Sequence, residues 1–263
     1  TLLSVNINKF ALIRNARGTN NPDLIEMTNK CISYGAEGIT VHPRPDERHV
    51  KYSDLLPLSE SIKKVDKRIE FNIEGYPSEK FCKIVNEIKP DQVTLVPDPY
   101  DAITSFFGWD CLKNKKLLSN VVSDFASNNI RVSLFINPSI ETLESLPDIA
   151  AKRVELHTFD FAKNYRSDPE KSIQSYLEVE EFLKKIPNIG INAGHDLNLD
   201  NLGYLLNRIP SIKEVSIGHA IVCDSFEYGL KNTIESLIVM NKGVRITEDM
   251  ILKHLKLEWI GMN

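Results

Sequence analysis

Three observations predict an α/β chain that winds eight strand and helix units into one closed barrel. Short runs rich in β-branched residues recur along the 263 residues, and segments of helical spacing separate them. The repeat takes roughly 20 to 40 residues, enough for strand, loop, helix and return. Eight such runs in about 250 residues suit a (β/α)8 or TIM barrel. An open doubly wound sheet built for a dinucleotide wants GxGxxG after its first strand, and VNINKF from Val5 has no glycine.

The first strand is LLSVNIN from Leu2. In the helix that follows, Asn21-Pro22 offers an N-cap with proline at the first helical position, and Leu24, Ile25, Thr28, Cys31 and Ile32 share one face until Gly35. The second strand is EGITVHP from Glu37, which empties into the charged run RPDERHV. The third, RIEFNIE from Arg68, leads to a helix capped by Ser78, whose stripe of Phe81, Ile84, Val85 and Ile88 stops at Pro90. QVTLVP from Gln92, RVSLFIN from Arg131, RVELHT from Arg153, IGINAG from Ile189 and EVSIGH from Glu214 complete the set. No Gly/Ser linker divides the chain, so one domain with extra helical segments is expected over 1–263, the barrel covering about 2–243. An extension over about 244–263 has Ile251, Leu252 and Leu255 near helical spacing, suited to cover the barrel or a partner subunit.

Composition narrows the partners. With 42% hydrophobic residues the chain can bury a large core. A net charge of −4 and a pI near 5.9 disfavour nucleic acid and anionic membrane surfaces, which reward a basic face. The opening TLLSVNIN lacks the pattern of a secretory signal, and no apolar run is long enough to cross a bilayer. Cys31, Cys82, Cys111 and Cys223 form no CxxC pair, which disfavours zinc or a redox dithiol and fits a reduced cytoplasmic setting.

The C-terminal strand ends gather chemistry: Asn6 and Asn8, His42, Glu74, Asp98, Asn137, His157, Asn192 with His195, and Gly218 with His219. In a barrel those ends share one mouth, where active sites are built. Arg14, Arg17, Arg44, Arg48 and His49 fall on the first two loops, and guanidinium forks suit phosphate. NAGHD and SIGHA follow strands seven and eight, the usual phosphate site of such a barrel. Two anion clusters imply two phosphorylated groups, and His42, Glu74 and His195 are the candidates for moving protons. Plainer readings stand beside these. A strand-end histidine is more often a hydrogen-bonded structural residue, RNARG reads equally as a solvated loop, and the glycines serve any tight turn.

Together these residues carry a resemblance that covers nearly the whole chain. RNARG, EGITVH followed by the R, D and RH of its charged run, the NIE of strand three, LVP, NAGH and IGHAI occur in the order seen in the pyridoxine 5′-phosphate synthase family. The resemblance implies an enzyme condensing 3-amino-2-oxopropyl phosphate with 1-deoxy-D-xylulose 5-phosphate into pyridoxine 5′-phosphate, phosphate and water. It implies no metal or organic cofactor, a cytoplasmic location and a homo-octamer built from dimers. Carried over by motif, His42 and Glu74 are proton acceptors and His195 the proton donor. Asn6, Arg17, Asp196, Gly218 and His219 match the amino-ketone phosphate site, and Asn8, Lys9, Arg44, His49 and Thr104 match the deoxyxylulose phosphate site.

Three residues at two places depart from the commoner family pattern. Asn8-Lys9 replaces an Asp-His pair, and Asp196 stands where a glycine often follows NAGH. PDPYDAITSFFGWD, with Phe106, Phe107 and Trp109, is a candidate lid or a subunit-packing loop. The alternatives to the synthase are a Schiff-base aldolase using Lys9 and a barrel that binds phosphates without turnover.

Overall fold

The computed structural model describes residues 1–98 and 105–243. Eight strands close into one barrel in chain order: β1 (Leu2–Asn6), β2 (Gly38–Val41), β3 (Glu70–Gly75), β4 (Gln92–Leu95), β5 (Arg131–Ile136), β6 (Arg153–His157), β7 (Gly190–Gly194) and β8 (Ile212–Ile217). Every neighbouring pair is parallel, and β1 shuts the ring by pairing Leu2 with Glu214 and Val5 with Ile217. All eight strands expected from the sequence are present. The helices are α1 (Asn8–Arg17) and α2 (Leu24–Ser33) after β1, α3 (Tyr52–Val65), α4 (Glu79–Ile88), α5 (Lys115–Ser127), α6 (Leu146–Ile149), α7 (Phe159–Tyr165) with α8 (Pro169–Leu183), α9 (Leu202–Arg208), and α10 (His219–Tyr228) with α11 (Leu230–Asn241). These doubled connections are the extra helical segments.

Successive strand residues point to opposite faces, and the two faces here differ in chemistry. One set, including Val5, Ile39, Phe71, Val93, Leu134, Val154 and Val215, is buried in the apolar core that the helices cover. The alternate set is buried and polar: Ser4, Thr40, Asn72, Thr94, Ser133, Glu155, Asn192 and Glu214. Side-chain hydrogen bonds stitch it together, Ser4 to Thr40 at 2.7 Å and Thr94 to Asn72 at 3.2 Å. That polar interior is held by hydrogen bonds that a buried hydroxyl or amide cannot forgo cheaply.

Local signals place the helices, with two revisions. Ser78 accepts from the Phe81 amide at 3.3 Å and α4 buries Phe81 and Val85, as its stripe predicts. Asn21 is not the cap of α2. Asp23 accepts from the Ile25 and Glu26 amides at 2.8 and 3.0 Å, so the helix starts at Leu24 and its buried face is Leu24, Thr28 and Cys31. RNARG is not a loop but the end of α1. The segment 244–263 lies outside the described residues.

Candidate active site

The strand ends of β1, β2 and β3 stand side by side because Asn6 pairs with Thr40 and Val41 with Ile73 in the ladder. This brings Asn6, His42 and Glu74 together. His42 Nδ1 lies 3.7 Å from Glu74 Oε2, and Asn6 Nδ2 approaches the same oxygen at 3.4 Å. Both partners of the pair are buried. Burial pushes the Glu74 carboxyl up to about 8, with Arg44 pulling it down and Asp98 and Glu214 raising it further. Burial also holds His42 well below the ordinary imidazole value, and the positive charges of Arg44, His49 and Arg48 add to the effect. Asn8 fixes the end of β2 by accepting from the His42 amide at 2.9 Å.

These residues line a cavity of about 350 Å³. One group of lining residues is basic: Lys9, Arg44 and His49. Arg44 is aimed by Asp98, 3.0 Å from its Nη2, and Ser105 Oγ donates to the same carboxylate oxygen at 2.6 Å. His49 is held down to about 4 by burial and then by Lys9, Arg44 and Arg48, with Asp46 opposing, so its surroundings already favour an incoming anion. Across β1, the first turn of α10 supplies Gly218, His219 and Ala220 to the lining. A Cβ at Gly218 would sit 2.7 Å from the Asn6 carbonyl oxygen, so only glycine lets the helix head approach this closely. Helix N-termini of this kind hold phosphates through free amides and the helix dipole.

His195 and Asp196 enter from the loop after β7 with φ of +89° and +57°, the left-handed region that side-chain-bearing residues rarely adopt. The turn is held from outside. Thr158 Oγ1 donates to the carbonyls of Gly194 and His195, and Asn201 Nδ2 donates to that of Asp196 at 3.1 Å. His195 Nδ1 lies 3.1 Å from Asp196 Oδ2, and this contact holds the Asp196 carboxyl below its usual range against its partial burial. The positive φ also explains why glycine suits position 196.

Twelve of the thirteen expected site residues are among those described. Asn6, Asn8, Lys9, His42, Arg44, His49, Glu74, His195, Asp196, Gly218 and His219 line the one cavity. Arg17 is exposed at the end of α1, outside that lining, and Thr104 lies outside the described residues, as do 99–104 of the expected lid. Trp109 is an anchor: it is buried, donates Nε1–H to the Leu95 carbonyl at 2.9 Å and stacks on Tyr76. The expected cluster of arginines shrinks. Arg14 makes a two-pronged pair with Asp54 at 2.9 and 2.8 Å, and Arg48 pairs with Asp46. Asn15 donates to the Arg48 and His49 carbonyls at 3.0 and 2.7 Å, so RNARG clamps the loop that carries His49.

One titratable lining residue escaped the sequence reading. Glu155, in the middle of β6, is buried and held well above its ordinary value by burial and by the neighbouring Glu74 and Glu214. Thr94 donates to it at 3.4 Å. A Cβ at Gly194 would come within 2.2 Å of its Oε1, so the glycine of NAGH makes room for the carboxyl. An acid interrupting an apolar strand was the available signal. Among the described residues no His, Cys, Asp or Glu cluster could hold a metal ion, and no helix is long and apolar enough to cross a membrane.

Comparison with known proteins accords with this geometry. The family described as "Pyridoxal phosphate biosynthesis protein PdxJ" matches residues 3–242. Relatives named pyridoxine 5′-phosphate synthase include that of Cytophaga hutchinsonii, 50% identical over 235 residues, covering 89% of this chain and 96% of its own. Those of Parabacteroides distasonis and Flavobacterium johnsoniae are 48% and 45% identical with the same coverage. Solved structures share the fold alone: tryptophan synthase of Mycobacterium tuberculosis (TM-score 0.61, 14% identity, 94% of this chain and 93% of that one) and thiamine phosphate pyrophosphorylase of Pyrococcus furiosus (0.58, 11%, 92% and 95%). Through a match spanning the barrel and relatives near half-identical to it, this chain belongs to the pyridoxine 5′-phosphate synthase family.

Proposed function

We propose that this chain is a pyridoxine 5′-phosphate synthase, condensing 3-amino-2-oxopropyl phosphate with 1-deoxy-D-xylulose 5-phosphate to give pyridoxine 5′-phosphate, phosphate and water. The observation that carries the reading is convergence: motif residues from Asn6 to His219 meet around one cavity that pairs a buried acid and base with two separate anion-binding ends. The first turn of α10 with His219 takes one phosphate, and Lys9, Arg44 and His49 take the other. Holding both substrates together removes much of the entropic barrier to a bimolecular condensation.

In the free protein at neutral pH the central pair is a neutral imidazole beside a protonated carboxyl. His42 is therefore the first base, taking a proton from the substrate ammonium so that the amine nitrogen can bond to the ketone carbon of the partner. The proton that the nitrogen sheds on bonding passes to the ketone oxygen, and after a second protonation, assigned to His195, that oxygen leaves as water to give the protonated imine. A cation next to Glu74 favours its carboxylate, so the protonated imine favours loss of the Glu74 proton and leaves a base for the later removal of carbon-bound protons. Loss of phosphate and water and an aldol-type closure complete the ring. The resemblance implies no metal or organic cofactor, and these steps use side chains alone. It also implies a cytoplasmic homo-octamer built from dimers as the working form, and sedimentation of the purified protein checks that assembly. The direct test supplies both substrates to purified protein and measures pyridoxine 5′-phosphate; binding of both without release of product overturns the reading.

A further inference from the structure

The ring of His157, at the end of β6, is enclosed by aromatic neighbours. Its centroid lies 4.9 Å from Phe135, 6.0 Å from Phe159 in a stacked arrangement, and 4.8 Å from His195 at an interplanar angle of 80°. Its Nδ1 is 3.4 Å from Asn137 Oδ1, and that oxygen also accepts the Gly108 amide at 2.9 Å. A backbone N–H identifies its partner as the carboxamide oxygen, which only accepts, so Nδ1 of His157 must carry the hydrogen. Nε2 is then a bare acceptor, and it is buried with no hydrogen-bond partner among the described residues. A buried polar atom left unpaired in a native fold calls for an explanation. Burial and the neighbouring His195 hold the ring down to about 4, against a weaker pull from Asp196, so it is neutral near pH 7.

His195 needs what this ring supplies. Its Nδ1 sits against Asp196, and the plane of the imidazole meets aromatic packing. Two rings pack against it edge-on: His157, and Phe159 at 5.8 Å and 83°. We propose that His157 is a positioning residue for the proton donor, holding the plane of His195, and that Asn137 fixes the tautomer of His157 while tying both to the backbone at Gly108. The neutrality of His157 matters as well, because a second imidazolium would repel a protonated His195. The inference rests on the reading of His195 as proton donor. Around the donor, the other titratable or charged groups are Asp196 on its own loop, Glu155 on β6, His219 on α10, Glu74 on β3, His42, Arg44 and His49 on and after β2, and Lys9 on α1.

The test is a pH profile of kcat with KM for both substrates, measured on wild type, His195→Gln, His157→Leu and His157→Phe. His157→Leu is expected to lower kcat by about 10- to 100-fold, the scale of misplacing a reacting group. Both KM values should stay within about threefold, and the limb of the profile that His195→Gln removes should shift. His157→Phe keeps the aromatic packing and should recover part of kcat, which also guards against a variant that merely fails to fold. An unchanged profile in His157→Leu, or a loss of kcat matched by a falling melting temperature with no shift of the limb, overturns the inference. If His195→Gln itself leaves the profile intact, the donor assignment fails instead, and the two failures are distinct.

Discussion

The two ends of the barrel use the same residue types in opposite ways. At the strand starts, Arg131 donates Nη1–H to Glu70 at 3.1 Å and Nε–H to Gln92 at 2.9 Å, while Gln92 and Asn192 donate to Glu214 at 3.2 and 3.4 Å. At the strand ends, Asn6, His42 and Glu74 approach one another only at 3.4 to 3.7 Å, and the cationic groups beside them face a cavity. The floor turns most of its hydrogen-bonding groups on itself, Asn192 Oδ1 excepted, whereas the rim keeps part of its capacity for a ligand. Buried charge alone therefore does not mark an active site; incomplete pairing next to an open volume does.

The largest effect should come from the rim. Glu74→Gln is expected to lower kcat by roughly 10²- to 10⁴-fold while the melting temperature holds, because the amide fits without an ionisation to suppress. A steep loss of melting temperature with kcat preserved would make the rim as structural as the floor. Next is Arg131→Met, which leaves the half-buried Glu70 and the buried Glu214 near each other without that cation. Removing one partner of such a network should cost about 3 kcal/mol and lower the melting point by roughly 6 to 12 °C, with kcat at 25 °C within about twofold of wild type. A large drop in kcat at that temperature would erase the contrast between the two ends.

A smaller, graded effect is expected with pH. Glu74 and Glu214, raised to about 8 and about 7, and Glu155, raised in the same direction, release their protons later in the folded than in the unfolded chain. Their penalty is absent well below about 4.5, grows as pH rises, and for Glu74 is complete above about 8. His49 and His157, lowered to about 4, act oppositely: their penalty is absent above about 6.5 and grows as pH falls toward 4. Melting scans should show stability falling on both sides of a middle range. Glu74→Gln should flatten the alkaline side by a few degrees, roughly 3 °C; an unaltered slope would remove Glu74 from this account. The smallest effect belongs to Gly218→Ala, whose Cβ must push against Asn6. It should raise KM for one phosphate substrate by roughly tenfold, about 1.4 kcal/mol, with kcat less affected.

Much of this was legible because period-two runs and strand-end chemistry are local signals. The eight strands, Ser78 as a cap, and the meeting of Asn6, His42, Glu74, His195 and His219 all follow from them. What escaped depends on partners distant in sequence. Arg14 looked available for phosphate until Asp54, forty positions on, was seen to occupy it. Glu155 sits inside a strand rather than at its end, so its exposure to the cavity depends on Gly194 of the neighbouring strand. The start of α1 was hidden because Ile7, its N-cap residue, supplies no side-chain cap.

The space left at Gly194 links two positions in any attempt to re-engineer this protein. Alanine at 194 meets the Glu155 carboxyl, so its harm is conditional on that acid being present. Paired with Glu155→Ala the same methyl group occupies vacated volume. Mutational paths through these two sites are therefore ordered: the acid must shrink before the glycine grows, and a double-mutant cycle should record strong epistasis between them.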